Sequence, residues 1–338
     1  MQLLRKIAFP FSLLYGLVVY LRNLCYDKGI FKSNSFKTPI VCIGNLSVGG
    51  TGKTPMIAFL LNIFKGDYKV AVLSRGYRRK TKGFLLATKN STVAELGDEP
   101  FQLYSKYKNI TLAVDANRSN GIKSLENLVK PELIFLDDAF QHRKVKPSIA
   151  ILLTTFSKPY FNDCYLPTGD LRDSKKEAHR AALIIVTKCP DSITKRDKER
   201  IISLINPKKY QKVLFSKLAY DNHLIGVDKK TPLTDLDKKP FSLVTGIANP
   251  EPLVAYLKSI HLSFKHFEFP DHYFFKESDI AKFSKNEIII TTEKDFAKLK
   301  GIAKNVFYLG VKHDFFDDGE LELRKAIKSI LIKPQGHF

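Results

Sequence analysis

Residues 47–54 read Ser47, Val48, Gly49, Gly50, Thr51, Gly52, Lys53, Thr54, and they stand between two patterns of different period. Before them lies a short apolar run, Pro39 to Gly44. After them Met56, Ile57, Leu60, Leu61 and Phe64 recur at helical spacing. Strand, glycine-rich turn and helix in this order make a phosphate-binding loop. Its glycines let backbone N–H groups crowd around a triphosphate, Lys53 reaches the β- and γ-phosphates, and Thr54 offers its hydroxyl to Mg²⁺. The strict pattern has Gly where this chain has Ser47, and the doubled Gly49 and Gly50 match a variant loop that supplies its glycines elsewhere. A chance Gly-rich turn is the rival reading. The strand before, the helix after and Pro55 early in that helix argue against it.

The loop constrains the fold as well. Short β-branched runs at 39–44, 69–74, 110–114, 133–137, 149–154, 183–187 and 212–216 alternate with helix-like stretches. Most are continuously apolar, as parallel strands buried on both faces are. The expected class is α/β, a P-loop doubly wound sheet, mostly parallel, with ligands at the carboxyl ends of its strands. Polar connections at 227–232 and 235–240 precede a second, smaller α/β unit, whose strand signals fall at 241–246, 264–267, 287–291 and 306–309. The expected division is an N-terminal helix in 1–24, a P-loop domain in 25–225 and a smaller C-terminal unit in 226–338.

Composition narrows the setting. At 338 residues and 44% hydrophobic content the chain suits a soluble globular protein and not a polytopic membrane protein. Cys25, Cys42, Cys164 and Cys189 are scattered without a C-x-x-C pair, so neither a zinc site nor a disulfide framework is suggested, and a reduced cytosolic setting is the default. Lys and Arg number 55 against 34 Asp and Glu, a net charge of +21 that favours nucleic acid, anionic lipid or phosphorylated substrates. Part of the excess is Lys spread along the whole chain. Two concentrations are sharper: Arg75, Arg78, Arg79, Lys80 and Lys82, and a basic first 40 residues with Asp27 as the one acid.

Ile7 to Leu21 is uncharged between Lys6 and Arg22. As a helix it reaches about 22 Å at about 1.5 Å per residue, short of a bilayer core of about 30 Å. No small-residue cleavage site follows, which argues against a signal peptide. The expectation is a helix lying in the cytoplasmic membrane face, its basic flanks meeting anionic headgroups. A helix packed on the core is the alternative.

Several acidic and basic residues follow strands. Asp137 and Asp138 end the apolar run Leu133 to Leu136, where a P-loop enzyme holds Mg²⁺ or orients a water; an ordinary acidic turn is the alternative. Asp98, after Gly97, can accept a proton from an attacking hydroxyl, but on the residues alone it reads better as a helix N-cap. Arg75 can hold a phosphate or sit in a solvated loop. Asp271 and His272 are a structural pair or a base with its orienter. Val186, Thr187 and Lys188 faintly echo a base-reading loop of GTPases, but Pro190 stands where that loop needs Asp, so guanine recognition is discounted.

Together these residues resemble the tetraacyldisaccharide 4′-kinase family, the lipid A 4′-kinases, over most of the chain. The resemblance is carried by residues 44–55, 74–77, 97–100, 137–142, 166–172, 269–272 and 292–295, in that order and spacing. It implies ATP- and Mg²⁺-dependent phosphorylation of the 4′-hydroxyl of an acylated glucosamine disaccharide 1-phosphate, giving lipid IVA or a local variant. It also implies two α/β domains closing on ATP and peripheral docking at the cytoplasmic face of the bacterial inner membrane. By motif, Asp98 is similar to the catalytic acid–base carboxylate, His272 to its partner, and Asp137 and Asp138 to the metal-proximal pair, with Thr54. Arg75, Arg118, His142 and Arg172 match positions suited to lipid-phosphate or γ-phosphate contacts. Ala139, where the family usually has Gly, and Asp170 and Asp173 depart from its pattern.

The rival is a membrane-associated regulatory P-loop ATPase without a lipid acceptor, although that class usually carries Lys where this chain has Val48. Nucleic-acid binding rests on charge alone, with no recognisable motif. Oligomeric state is not legible, and a monomer is favoured.

Overall fold

The computed structural model describes residues 7–107, 109–236, 239–285 and 288–332. In chain order the elements are α1 (Phe9–Asp27), β1 (Ile40–Asn45), α2 (Lys53–Phe64), β2 (Val70–Ser74), β3 (Leu85–Leu86), α3 (Val93–Leu96), α4 (Asp98–Lys106), β4 (Thr111–Val114), α5 (Arg118–Leu128), β5 (Leu133–Asp137), β6 (Ile149–Thr155) and β7 (Leu183–Thr187). They continue as α6 (Lys195–Ile205), β8 (Lys212–Ile225), β9 (Lys230–Pro232), β10 (Phe241–Thr245), α7 (Glu251–Ser259), β11 (Phe264–Glu268), α8 (Glu277–Phe283), β12 (Ile288–Thr291), α9 (Glu293–Leu299), β13 (Val306–Phe315) and α10 (Gly319–Ile332).

Among the described residues one sheet of 13 strands runs β11-β10-β12-β13-β8-β7-β6-β1-β5-β2-β4-β3, with β9 on β8. The first half is parallel from β8 through β4, and β1 lies between β5 and β6. Chain order builds β2, β4 and β5 on one side of β1 and then crosses to β6 and β7 on the other, so the loop after β1 opens into the crevice where open α/β sheets bind ligands. The expected α/β class, mostly parallel, is what the chain adopts.

Alternation along β1 explains the layers. Val41 and Ile43 face a core with Met56, Leu60, Leu61 and Phe64 of α2, whereas Ile40 and Cys42 face Ile122 and Leu125 of α5. Both faces are covered, so these strands carry no polar side until their last residues. Truncating a fully buried Leu60 or Leu61 to Ala costs about 2–5 kcal/mol.

The two halves share β8. Its first residues pair in parallel with β7, and Ser216 to Ile225 pair antiparallel with β13. The run read as ending at Ser216 thus continues to Ile225, and part of the polar connection after it, Lys230–Pro232, adds a short strand to β8. The final helix crosses back, placing Leu323 and Ile327 in the core around α2.

Helix α1 runs on past residue 24 to Asp27. It meets the protein through polar groups: Ser12 Oγ donates to Thr168 Oγ1 (2.8 Å), Tyr15 Oη to the Arg172 carbonyl (3.0 Å) and Asn23 Nδ2 to Asp173 Oδ1 (2.8 Å). Phe11, Leu13, Leu14, Leu17, Val18 and Leu21 are left exposed. Polarity is therefore inverted relative to an ordinary surface helix. Among the described residues no helix is long and apolar enough to cross a membrane.

Candidate active site

The loop after β1 is held from several sides. Gly49 and Gly52 have φ of +108° and +90°, conformations L side chains rarely adopt. Asn45, the last residue of β1, donates to Thr51 Oγ1 (2.9 Å) and receives Gln141 Nε2 on its carbonyl (2.6 Å). Val48 N–H donates to the Asp170 carbonyl (2.7 Å), so the 166–172 segment walls one side. Beneath, Thr187 Oγ1 donates to the Thr51 carbonyl (2.8 Å) and His313 Nε2 to the Gly52 carbonyl (2.9 Å). That carbonyl only accepts, so Nε2 carries the proton and Nδ1 accepts from Ser216 Oγ (3.0 Å). Burial holds this neutral imidazole down at about 4.

Lys53, opening α2, lies 3.6 Å from Asp138. Arg172 reaches Asp138 with both terminal nitrogens, one at 3.0 Å, and also Asn45 Oδ1. Burial opposes the charge of Asp138, but Arg172 and Lys53 outweigh it and hold the carboxyl at about 2. Asp137 is buried, receives Ser74 Oγ on Oδ2 (2.9 Å) and has Oδ1 without a partner. Burial, then the charge of Asp138, pushes its carboxyl up. Two adjacent carboxylates are thereby driven apart in acidity. Asp138 achieves its orientation in left-handed backbone, φ +47°.

An orphaned carboxylate oxygen beside the Thr54 hydroxyl's loop is a hard-oxygen donor set that fits Mg²⁺. Such an ion takes one or two carboxylates with phosphate and water, not a protein cage. Among the described residues no three His, Cys, Asp or Glu side chains gather into a metal cluster.

A second cluster faces the first. Asp98 is not the N-cap that the residues alone favoured. Gly97 caps α4, with φ +89° and ψ +162°, and a Cβ on it would fall 2.7 Å from the Tyr77 carbonyl. Asp98, released from capping, accepts from His272 Nδ1 (2.7 Å) and from Lys298 Nζ (3.0 Å). Burial works against its charge, but Lys298 and His272 prevail and lower its pKa. His272, at φ +64°, has Nε2 3.4 Å from Lys294 Nζ, which also donates to Asp271 (2.7 Å).

Glu99 joins the clusters. Burial, then Asp137, pushes its carboxyl up to about 7, against the opposing charges of Lys53 and Lys294. Sequence reasoning gave Glu99 no role and did not single out Lys298. The spacing of Lys294 and Lys298 on one face of α9 was the available signal. His313 carried no signal short of the fold.

The four basic candidates separate. Arg118 is 3% exposed and its guanidinium serves the Asp115, Ala116 and Asp137 carbonyls. Arg172 serves Asp138. Arg75 is exposed, and His142 is half-buried with Nε2 unpartnered. Burial, then Arg118, Lys144, Arg22 and Arg75, holds His142 down to about 4, so positive charge gathers around this ring.

A P-loop at a parallel-sheet switch point, facing a carboxylate held by histidine and lysine, defines a P-loop phosphotransferase. The comparisons are specific. Residues 4–331 match the family model described as LpxK, tetraacyldisaccharide-1-P 4′-kinase. The tetraacyldisaccharide 4′-kinases of Flavobacterium johnsoniae and Flavobacterium psychrophilum are 44% and 45% identical, over 94% and 98% of both chains. The LpxK of Aquifex aeolicus, solved in complex with ATP, superposes with a TM-score of 0.81 at 30% identity, over 97% of this chain and 99% of its own. The chain belongs to the tetraacyldisaccharide 4′-kinase family.

Proposed function

We propose that this chain transfers the γ-phosphate of ATP to the 4′-hydroxyl of an acylated glucosamine disaccharide 1-phosphate, the step that yields lipid IVA or its local variant. The observation that carries this reading is the Asp98–His272–Lys298 cluster facing Lys53 and Asp138 across Glu99.

Phosphoryl transfer asks the protein for position and charge neutralisation. The N–H groups of 47–54 cradle the donor phosphates and Lys53 exchanges Asp138 for phosphate oxygen. Thr54, Asp137 and Asp138 would hold Mg²⁺, which would neutralise charge on the donor phosphates. Asp98 orients the attacking hydroxyl and takes its proton; a carboxylate this acidic is a weak base, which suits a loose transition state where the proton leaves late. His272 and Lys298 fix the carboxylate and keep it ionised.

The acceptor's chemistry matches the remaining surface. The positive charge of Arg22 and Arg75 around His142 suits the 1-phosphate, and the apolar side of α1 suits acyl chains in the cytoplasmic leaflet of the inner membrane. Arg118 and Arg172 act behind this surface, through Asp137 and Asp138. We read 25–225 and 226–338 as two domains that close on ATP, 1–24, of which 1–6 lie outside the described residues, as the membrane-docking segment, and the protein as a peripheral monomer.

The test is transfer from γ-labelled ATP to an acylated disaccharide 1-phosphate in detergent micelles with Mg²⁺, read by thin-layer chromatography. A labelled lipid that disappears in Lys53→Ala is expected. Free labelled phosphate without labelled lipid would favour the regulatory ATPase instead.

A further inference from the structure

The donor's orientation over the loop can be read from the sheet order. Lys53, Asp138 and Asp137 lie toward β5, and Asp98 follows Gly97 beyond β2, all on one side of β1. The transferable phosphate belongs there. The opposite end of a nucleotide must therefore leave over β6 and β7.

Lys188 is the first residue after β7. Its backbone is left-handed, φ +55°, and it turns its side chain back onto the loop: Nζ lies 3.9 Å from the position a Cβ on Gly50 would take. Its neighbour Thr187 is bonded to the Thr51 carbonyl, so the lysine rides on the wall of the P-loop itself. Lys188 is half-buried, and burial alone lowers its pKa; no carboxylate contributes. No hydrogen bond or ion pair joins it to another side chain among the described residues. The nearest following acid, Asp191, is exposed and paired to Lys217 at 2.6 Å. A partly desolvated ammonium on a long apolar stem, unpartnered and directed into a ligand crevice, is costly unless a ligand completes it.

We propose that Lys188 is the nucleoside contact of the donor site, its stem and ammonium facing the ribose and base of the nucleotide and not its phosphates. Pro190 and the engaged Asp191 leave the base edge without a carboxylate reader, so the contact is with the face of the nucleoside. This rests on the ATP-dependent reading above.

The experiment separates nucleoside from phosphate. Binding of Mg·ADP and of Mg·tripolyphosphate to the full chain is measured by calorimetry for wild type, Lys188→Ala and Lys188→Asn, the last because Asn tolerates left-handed backbone. The ADP Kd rises about tenfold in both variants while the tripolyphosphate Kd stays within about twofold. In the transfer assay the loss falls on KM for ATP and not on kcat. Equal losses for both ligands would make Lys188 a phosphate clamp and overturn the proposal, as would no loss for either. Were the lipid acceptor wrong, transfer would fail in wild type and variants alike, and the two binding constants would still decide the role of Lys188.

Discussion

His272 Nδ1 lies 2.7 Å from Asp98 Oδ2, a hydrogen bond that joins the two halves of the chain across 174 residues. Each partner depends on unusual backbone: His272 is itself at positive φ, and Asp98 is delivered by Gly97. Asp98→Asn is expected to lower kcat by about 10²–10⁴-fold while ATP still binds. His272→Asn, which tolerates the left-handed backbone, costs less, and the double variant is no slower than Asp98→Asn alone, because the two act as a unit. Additive losses would separate them.

Lys298 makes the second contact to Asp98 and is one of the two forces that hold its carboxyl low. Replacing it by Met leaves burial and His272 in competition, so the Asp98 pKa rises. The acid limb of the kcat–pH profile moves to higher pH in Lys298→Met. An unmoved limb would assign it to another group.

His313 predicts a stability effect. Its folded pKa of about 4 lies below the ordinary 6.5, so its contribution is fully present above pH 6.5 and is lost as pH falls through about 4. The loss is on the order of 3 kcal/mol. His313→Gln keeps a donor for the Gly52 carbonyl and cannot titrate. Denaturant unfolding across that window shows a shallower decline in the variant; parallel curves would remove His313 from the acid response.

Much of this was legible beforehand, for a physical reason. Strands such as Leu133–Asp137 and Leu183–Thr187 have buried both faces and read as unbroken apolar runs. The P-loop reads from its glycines. What escaped was tertiary. The antiparallel seam of β8 with β13 lies in mixed, half-exposed strands, so residues 217–225, the C-terminal part of β8, carried no strand signal. Asp98 looked like a cap because capping is local, whereas its partners His272 and Lys298 come from the other half. Arg118 was named by the resemblance alone, and the burial of its guanidinium against carbonyls has no sequence signature.

The inverted polarity of α1 leads to a membrane test. Leu14, Leu17 and Val18 touch solvent, so Leu14→Ser, Leu17→Ser and Val18→Ser together leave the melting midpoint unchanged. Affinity for anionic vesicles falls at least about tenfold. Unchanged co-sedimentation would mean that α1 is not the docking surface.

The most direct test is a single-turnover measurement of phosphate transfer to the acylated disaccharide by wild type and Asp98→Asn, with ATP and lipid both saturating. Bound ATP with transfer slowed by about 10²-fold or more is the predicted result. Transfer at the wild-type rate by the folded variant would contradict the account, and the carboxylate that handles the proton would have to be sought elsewhere, with Glu99 the first place to look.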